Sequence, residues 1–219
     1  MVAILNDEAA STGSSSPISS STRISPLPTA PFTDYTPSSA YRASKALSLD
    51  ATDRFVAEKK PGFSVVNIMP GYVIGRNELI KEAKALVGGS NAIALSIVLG
   101  SESAPGKRPL MVSHLQDVAR IEVAALDEGK VALGAGESKS YLLDGGSANN
   151  GVDFDDAKEV VRKAFPEAVE SGKLKLGGGI EGAKLNIDAS ETVETFGELR
   201  SYEDAVKSIV GQYLELLEK

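Results

Sequence analysis

The sequence predicts an α/β fold built on a parallel sheet, and three features carry that expectation. A helix pattern starts near Pro37, a residue suited to a first helical turn. It runs through Leu47, Leu49, Ala51, Phe55 and Val56 to a stop at Lys59, Lys60, Pro61 and Gly62. Residues 63–69 (FSVVNIM) follow as a continuous apolar run between Gly62 and Pro70, the pattern of a strand buried on both faces of a parallel sheet. A helix feeding a buried strand is half of a βαβ unit, and beyond Gly75 short helical and strand patterns go on alternating.

Taken in chain order, residues 2–5 (VAIL) read as the tail of a buried strand, and residues 7–39, rich in Ser, Thr and Pro, as a long surface loop. After the Pro37 helix and the 63–69 strand, the periodicity predicts helices over 78–87, 91–99, 115–127, 153–165, 189–196 and 202–217. Short strands are predicted over 109–113, 139–144 and 183–187. Asp153 and Ser201 sit as N-caps, each with an aspartate three residues on (Asp156 and Asp204) in a capping-box-like pattern, and Gly197 closes a helix. The carboxylates of Asp153, Asp155 and Asp156 lack companion ligands in the sequence and are read as a helix start rather than a metal site.

Composition excludes several functions. With 42% hydrophobic and 24% charged residues in 219, the chain is long enough for a sizeable core. Its formal charge of -7 opposes nucleic-acid binding, which needs a basic face to displace counterions. The absence of cysteine rules out disulfides and thiolate metal sites, and one histidine, His114, leaves no histidine cluster, so no metal is expected. His114 itself, beside a helix start, reads as structural. No apolar run approaches the ~18 residues of a membrane span, and residues 1–10 lack the pattern of a secretion signal, so the expectation is a cytoplasmic protein without a membrane partner.

The chemistry is concentrated in residues 38–55 (SSAYRASKALSLDATDRF). Tyr41 and Lys45, four apart, fall on one face of the helix at about 5–6 Å between Cβ atoms. An ammonium close to a phenol favours the phenolate and makes the phenol a better proton donor to a carbonyl oxygen. The pair leads into a buried strand ending in NIMPGYVIGRNE (67–78), and open α/β sheets place their ligands at the carboxyl ends of strands.

With Y-R-A-S-K (41–45) and N-I-M-P-G-Y-V-I-G (67–75), supported by SHLQDVARIEVAAL (113–126) and SYEDAVKSIVGQYLEL (201–216), the chain resembles the extended short-chain dehydrogenase/reductase superfamily. The similarity is to its NAD-dependent epimerase/dehydratase branch, and within it to fungal carbonyl reductases like cinnamoyl-CoA and dihydroflavonol reductases. It covers about residues 36–219. The resemblance implies an NAD(P)H-dependent oxidoreductase of small carbonyl or alcohol substrates. Tyr41 would be the general acid, Lys45 would tune it and hold the nicotinamide ribose, Pro70, Gly71, Tyr72 and Val73 would pack around the nicotinamide, and Arg76 would shape the substrate pocket.

On this resemblance the fold is an incomplete Rossmann-type, doubly wound domain lacking its N-terminal strands, with a small C-terminal mixed α/β substrate domain. Residues 1–35 form a strand stub and loop, 36–75 the part of the Rossmann-type domain with the Tyr-Lys helix, and 76–219 the substrate domain with segments returning to the core. Two parts of the family pattern have no counterpart. The glycine-rich pyrophosphate turn should precede the tyrosine by a wide margin, and the one literal G-x-G-x-x-G (Gly177, Gly179, Gly182) follows no buried strand. The family's serine before the tyrosine is also missing, since Ser19, Ser20 and Ser21 lie in a polar stretch. An N-terminally truncated chain that binds NAD(P)H weakly or not at all is therefore expected. Two other readings stay open: an epimerase or dehydratase using the same pair, and a non-enzymatic protein that associates through an exposed sheet edge.

Overall fold

The computed structural model describes residues 2–101, 106–145 and 152–218. A 3-10 turn (Val2–Ile4), α1 (Asp7–Thr12) and β1 (Ser14–Ile18) precede the long α2 (Pro37–Lys59), then β2 (Val65–Pro70) and β3 (Tyr72–Ile74). Next come α3 (Ala83–Leu86), α4 (Asn91–Leu99), β4 (Arg108–Pro109), β5 (Val112–His114), α5 (Leu115–Ala124) and β6 (Ser138–Leu143). A 3-10 turn (Phe154–Asp156) leads into α6 (Ala157–Ala164) and α7 (Pro166–Glu170). β7 (Gly182–Ala183), β8 (Leu185–Ile187), α8 (Ser190–Phe196) and α9 (Tyr202–Leu217) complete the order.

Among the described residues every strand pairing is parallel: β2 with β6, β3 with β5, β1 with β8 and β4 with β7. β2 and β6 are in register from Val65 opposite Ser138 to Pro70 opposite Leu143. The chain changes partner at Gly71, passing from β2 beside β6 to β3 beside β5. A Cβ there would lie 2.6 Å from the Met111 carbonyl oxygen and 3.0 Å from the Val112 nitrogen, so the two strands close up only over a glycine.

The core gathers in three clusters. Ile74, α4, α6 and α9 form the first, around Phe154 and Leu95. The second joins Ile4, Leu5 and Ile18 from the first residues to Leu49 of α2, Met69, Met111, Leu142 and β8. Ile121, Val131, Tyr141, Leu143 and Phe196 make the third. α9 follows its sequence signals closely: Ser201 and Asp204 form a capping box, and Tyr202, Ala205, Val206, Ile209 and Val210 are buried at helical spacing.

Several expectations are corrected. Residues 2–4 form a 3-10 turn rather than strand, because Ile4 and Leu5 turn inward against α2. Residues 7–18 are not loop: the Asn6 side chain caps α1 by accepting from the Ala9 nitrogen at 2.8 Å, and β1 pairs with β8. β1 was invisible in sequence because parallel pairing uses backbone groups, and only Ile18 of its five residues is buried. The helix expected over 78–87 is limited to α3, and α7, which starts at Pro166, was not expected. The strand of 63–69 is half-buried rather than enclosed, with Met69 its one fully buried residue, since among the described residues β6 is its only paired neighbour. No helix among the described residues is long and apolar enough to cross a membrane.

Candidate active site

α2 places the two residues singled out by their spacing. Thr36 caps it by accepting from the Ser39 nitrogen at 3.2 Å, and Pro37 occupies the first turn. Tyr41 lies in the second turn, with Lys45 one turn further on. The Lys45 ammonium is 5.6 Å from the centroid of the Tyr41 ring, over its face. Tyr41 is 55% exposed, so its phenol is reachable by a small molecule.

The carboxyl end of β2 supplies the facing wall. The Gly71 nitrogen donates to Ser113 Oγ at 2.9 Å while Ser113 Oγ donates to the Leu143 carbonyl at 2.6 Å, and the Tyr72 nitrogen donates to the Met111 carbonyl at 2.9 Å. These bonds hold the Pro70–Gly71 corner rigidly between β5 and β6. A cleft of about 750 Å³ opens there, lined by Tyr41, Lys45, Pro70, Gly71, Tyr72 and Val73. Ala3, Ile68, Met69, Met111 and Ile180 add apolar surface, and the α4 segment contributes Gly89, Ser90, Ala92, Ile93 and Ser96. Arg108 completes it. Burial pushes the Tyr72 phenol above its ordinary value; the neighbouring Arg108 guanidinium pulls the other way and is outweighed.

Arg76 is not among the lining residues. Its backbone nitrogen donates to Ser208 Oγ of α9, and its guanidinium is held by Glu78 and Glu215, each at 2.8 Å. Ser19, Ser20 and Ser21 also lie elsewhere: Ser20 Oγ donates to Glu191 at 2.7 Å, and the Ser19 and Ser21 hydroxyls bond each other. Gly178, inside the literal G-x-G-x-x-G, packs so tightly on the end of α4 that a Cβ would collide with the Ser96 carbonyl. The glycines there serve a close crossing and open no helix. Sequence reasoning missed Arg108, Ser90 and Ser96. The available signal was an arginine two residues from the start of a buried apolar run.

His114 is structural. Its Nδ1 accepts from the Gln116 nitrogen at 3.1 Å, capping α5, and burial together with Arg200 lowers its pKa. Beside it, buried Asp117 receives the Arg200 nitrogen and Nη1, both at 2.6 Å, tying α5 to the start of α9. Among the described residues no cluster of histidine and carboxylate side chains could hold a metal ion.

No family model matches the chain. Ketoreductase CTB6 of Cercospora nicotianae is 36% identical over 184 residues, covering 82% of this chain and 50% of that protein. The NAD-dependent epimerase/dehydratase ALT6 of Alternaria alternata is 34% identical over 139 residues, 61% of this chain and 38% of its own length. Among solved structures, Gre2 from Candida albicans superposes with a TM-score of 0.71 at 19% identity, covering 98% of this chain and 63% of Gre2. Its complex with NADPH gives 0.63 at 20%, with 98% and 62% covered.

The chain belongs to the extended short-chain dehydrogenase/reductase superfamily. Its fold is the Rossmann-type α/β arrangement of that superfamily's reductases, of which it spans just over three fifths; it spans half or less of the two curated relatives.

Proposed function

We propose that this chain carries the proton-donating and substrate-binding part of an NAD(P)-dependent carbonyl reductase. The supporting observation is the convergence on one cleft of the Tyr41–Lys45 pair and the Pro70–Val73 corner. Names point the same way: CTB6 is a ketoreductase, and Gre2 is seen with NADPH. The residues present suit the nicotinamide end of such a coenzyme. Lys45 offers donors to ribose hydroxyls, and the Pro70–Val73 backbone lines the same cleft as a wall for the flat ring. Bound NAD(P)H supplies the hydride in this chemistry.

The protein's own contribution is to orient the carbonyl and manage its proton. Tyr41 Oη, reachable from the cleft, gives its proton to the carbonyl oxygen as that oxygen gains charge, and the Lys45 ammonium one helical turn away stabilises the phenolate left behind. Apolar walls from Met69, Met111, Ile93 and Ile180 limit water near the reacting centre. In a form extended to the length of its relatives, Tyr41→Phe should cut carbonyl reduction by ~10²–10⁴-fold with coenzyme affinity nearly unchanged. Lys45→Ala should lower both. Full turnover in Tyr41→Phe would reject the assignment.

A second reading rests on β2, whose only paired neighbour among the described residues is β6. Its other edge offers backbone groups for strand addition, so the chain would act as a pairing partner for another protein of this fold. Sedimentation of the chain with and without Ile68→Lys separates this from the first reading, because a charge on that half-buried strand should abolish association.

A further inference from the structure

The charge inside the cleft runs against that of the molecule. The chain carries a formal -7, yet among the described residues the cleft is lined by two cations, Lys45 and Arg108, and by no aspartate or glutamate. A concave, largely apolar wall focuses such a field on whatever enters. Lys45 is accounted for by the proposed chemistry, and Arg108 is not.

Arg108 is unusual among the arginines here. Arg23, Arg54, Arg76, Arg120, Arg162 and Arg200 each pair with a carboxylate and Arg42 donates to Ser38 Oγ, whereas Arg108 pairs with no carboxylate among the described residues. Its root is fixed, because its nitrogen donates to the Glu181 carbonyl at 2.9 Å as β4 pairs with β7. The adjacent Lys107 reaches Glu181 with its ammonium at 2.6 Å, so that carboxylate is already taken. Strand alternation then sends Lys107 outward and Arg108 into the cleft. There the guanidinium lies beside Tyr72, whose burial keeps its hydroxyl protonated and able to donate. A half-buried guanidinium fork matches the two oxygens of an acid, and with only the neutral Tyr72 hydroxyl beside it the charge is left without an anionic partner in a largely apolar wall.

We propose that Arg108, with the Tyr72 hydroxyl beside it, anchors a carboxylate or equivalent anionic oxygen group on the carbonyl substrate, so that the cleft selects acidic over neutral carbonyl compounds. This rests on the reductase reading of the same cleft. The phosphate of the coenzyme shares the anionic chemistry, and the test separates the two sources.

Met69 and Met111 both line the cleft, and the chain has three methionines in all, so ¹³C-methyl methionine NMR reports binding there directly. The probes are phenylglyoxylate, a 2-oxo acid with an apolar ring, and its neutral amide. The acid should bind about 10- to 100-fold more tightly than the amide, the value of a charged hydrogen-bonded pair. Arg108→Gln should erase that preference, and Arg108→Lys, which keeps the charge without the fork, should keep part of it. Ligand-free methyl spectra matching wild type show that both variants are folded. Equal binding of acid and amide by wild type, no response to the acid, or a preference that survives Arg108→Gln would overturn the proposal. Nicotinamide mononucleotide forms the second arm. A response to it that wild type and Arg108→Gln share, including none, keeps Arg108 on the substrate side; a loss confined to Arg108→Gln assigns it to the coenzyme phosphate and overturns the proposal. Failure of the reductase reading shows instead in Tyr41→Phe turnover, which these binding measurements do not depend on.

Discussion

Gly71→Ala tests the corner on which the cleft depends. The new methyl would sit 2.6 Å from the Met111 carbonyl oxygen, 2.7 Å from its carbon and 3.0 Å from the Val112 nitrogen, all backbone atoms that no side-chain rotation can move aside. Relief requires β3 and β5 to separate at their first rung, where the Tyr72 nitrogen donates to the same Met111 carbonyl at 2.9 Å. Overpacking of this kind costs ~1–3 kcal/mol, and the weakened hydrogen bond adds ~0.5–1.5 kcal/mol. Together that is about 2–4 kcal/mol, a large share of the ~5–15 kcal/mol typical of a folded protein. For a chain of this size each kcal/mol moves the melting temperature by ~2–4 °C, so Gly71→Ala should melt roughly 4–16 °C lower by circular dichroism. Gly62→Ala is the matched control, since nothing lies within 4 Å of its added methyl, and its shift should stay within ~0.5 kcal/mol. Equal melting temperatures for the two variants would refute the account of why a glycine stands at 71.

Three further outcomes follow from other parts of the structure. Neutral His114 caps α5 among Arg200, Asp117 and Asp204, and its folded pKa lies below its ordinary value, first through burial and then through Arg200. The unfolded chain therefore takes up this proton more readily. Stability tied to His114 is fully present above about pH 6.5 and falls as pH drops below it, so urea midpoints should decline more steeply there in wild type than in His114→Asn, which can still cap; parallel declines would discount the histidine. Asp117→Ala removes a side chain only 3% exposed that joins Arg200 and Arg120, and should cost ~3 kcal/mol; a loss under ~1 kcal/mol would mean that solvent replaces the bonds. The 219-residue chain should bind NAD(P)H more weakly than low micromolar in a fluorescence titration, because the one G-x-G-x-x-G of the sequence, at Gly177, Gly179 and Gly182, opens no helix that could hold the pyrophosphate. A low-micromolar dissociation constant would contradict this.

Local signals in the sequence carried the longer helices and the Tyr41–Lys45 pair, because spacing along one helix decides which side chains share a face whatever packs around it. Residues 91–99 and 202–217 became α4 and α9 at the predicted bounds, the first from an apolar run interrupted by Ser96 and ended by Gly100, the second from the Ser201 and Asp204 cap. Strand pairing was another matter. Nothing in the Ser-rich segment 14–18 announces a strand, since its bonds to β8 come from backbone groups that every residue has. The two cations of the cleft divide along the same line. Lys45 was legible from its distance to Tyr41, whereas Arg108 is 67 residues from Tyr41 in the chain and reaches the cleft only because β4 pairs with β7 and turns its side chain inward. Arg76 shows the converse: its position just after the Pro-Gly corner pointed to the cleft, and Glu78 and Glu215 hold it against α9 instead. Periodicity reports what one element does alone, while the meeting of charges from distant segments is settled by which strands pair and which helices pack over them.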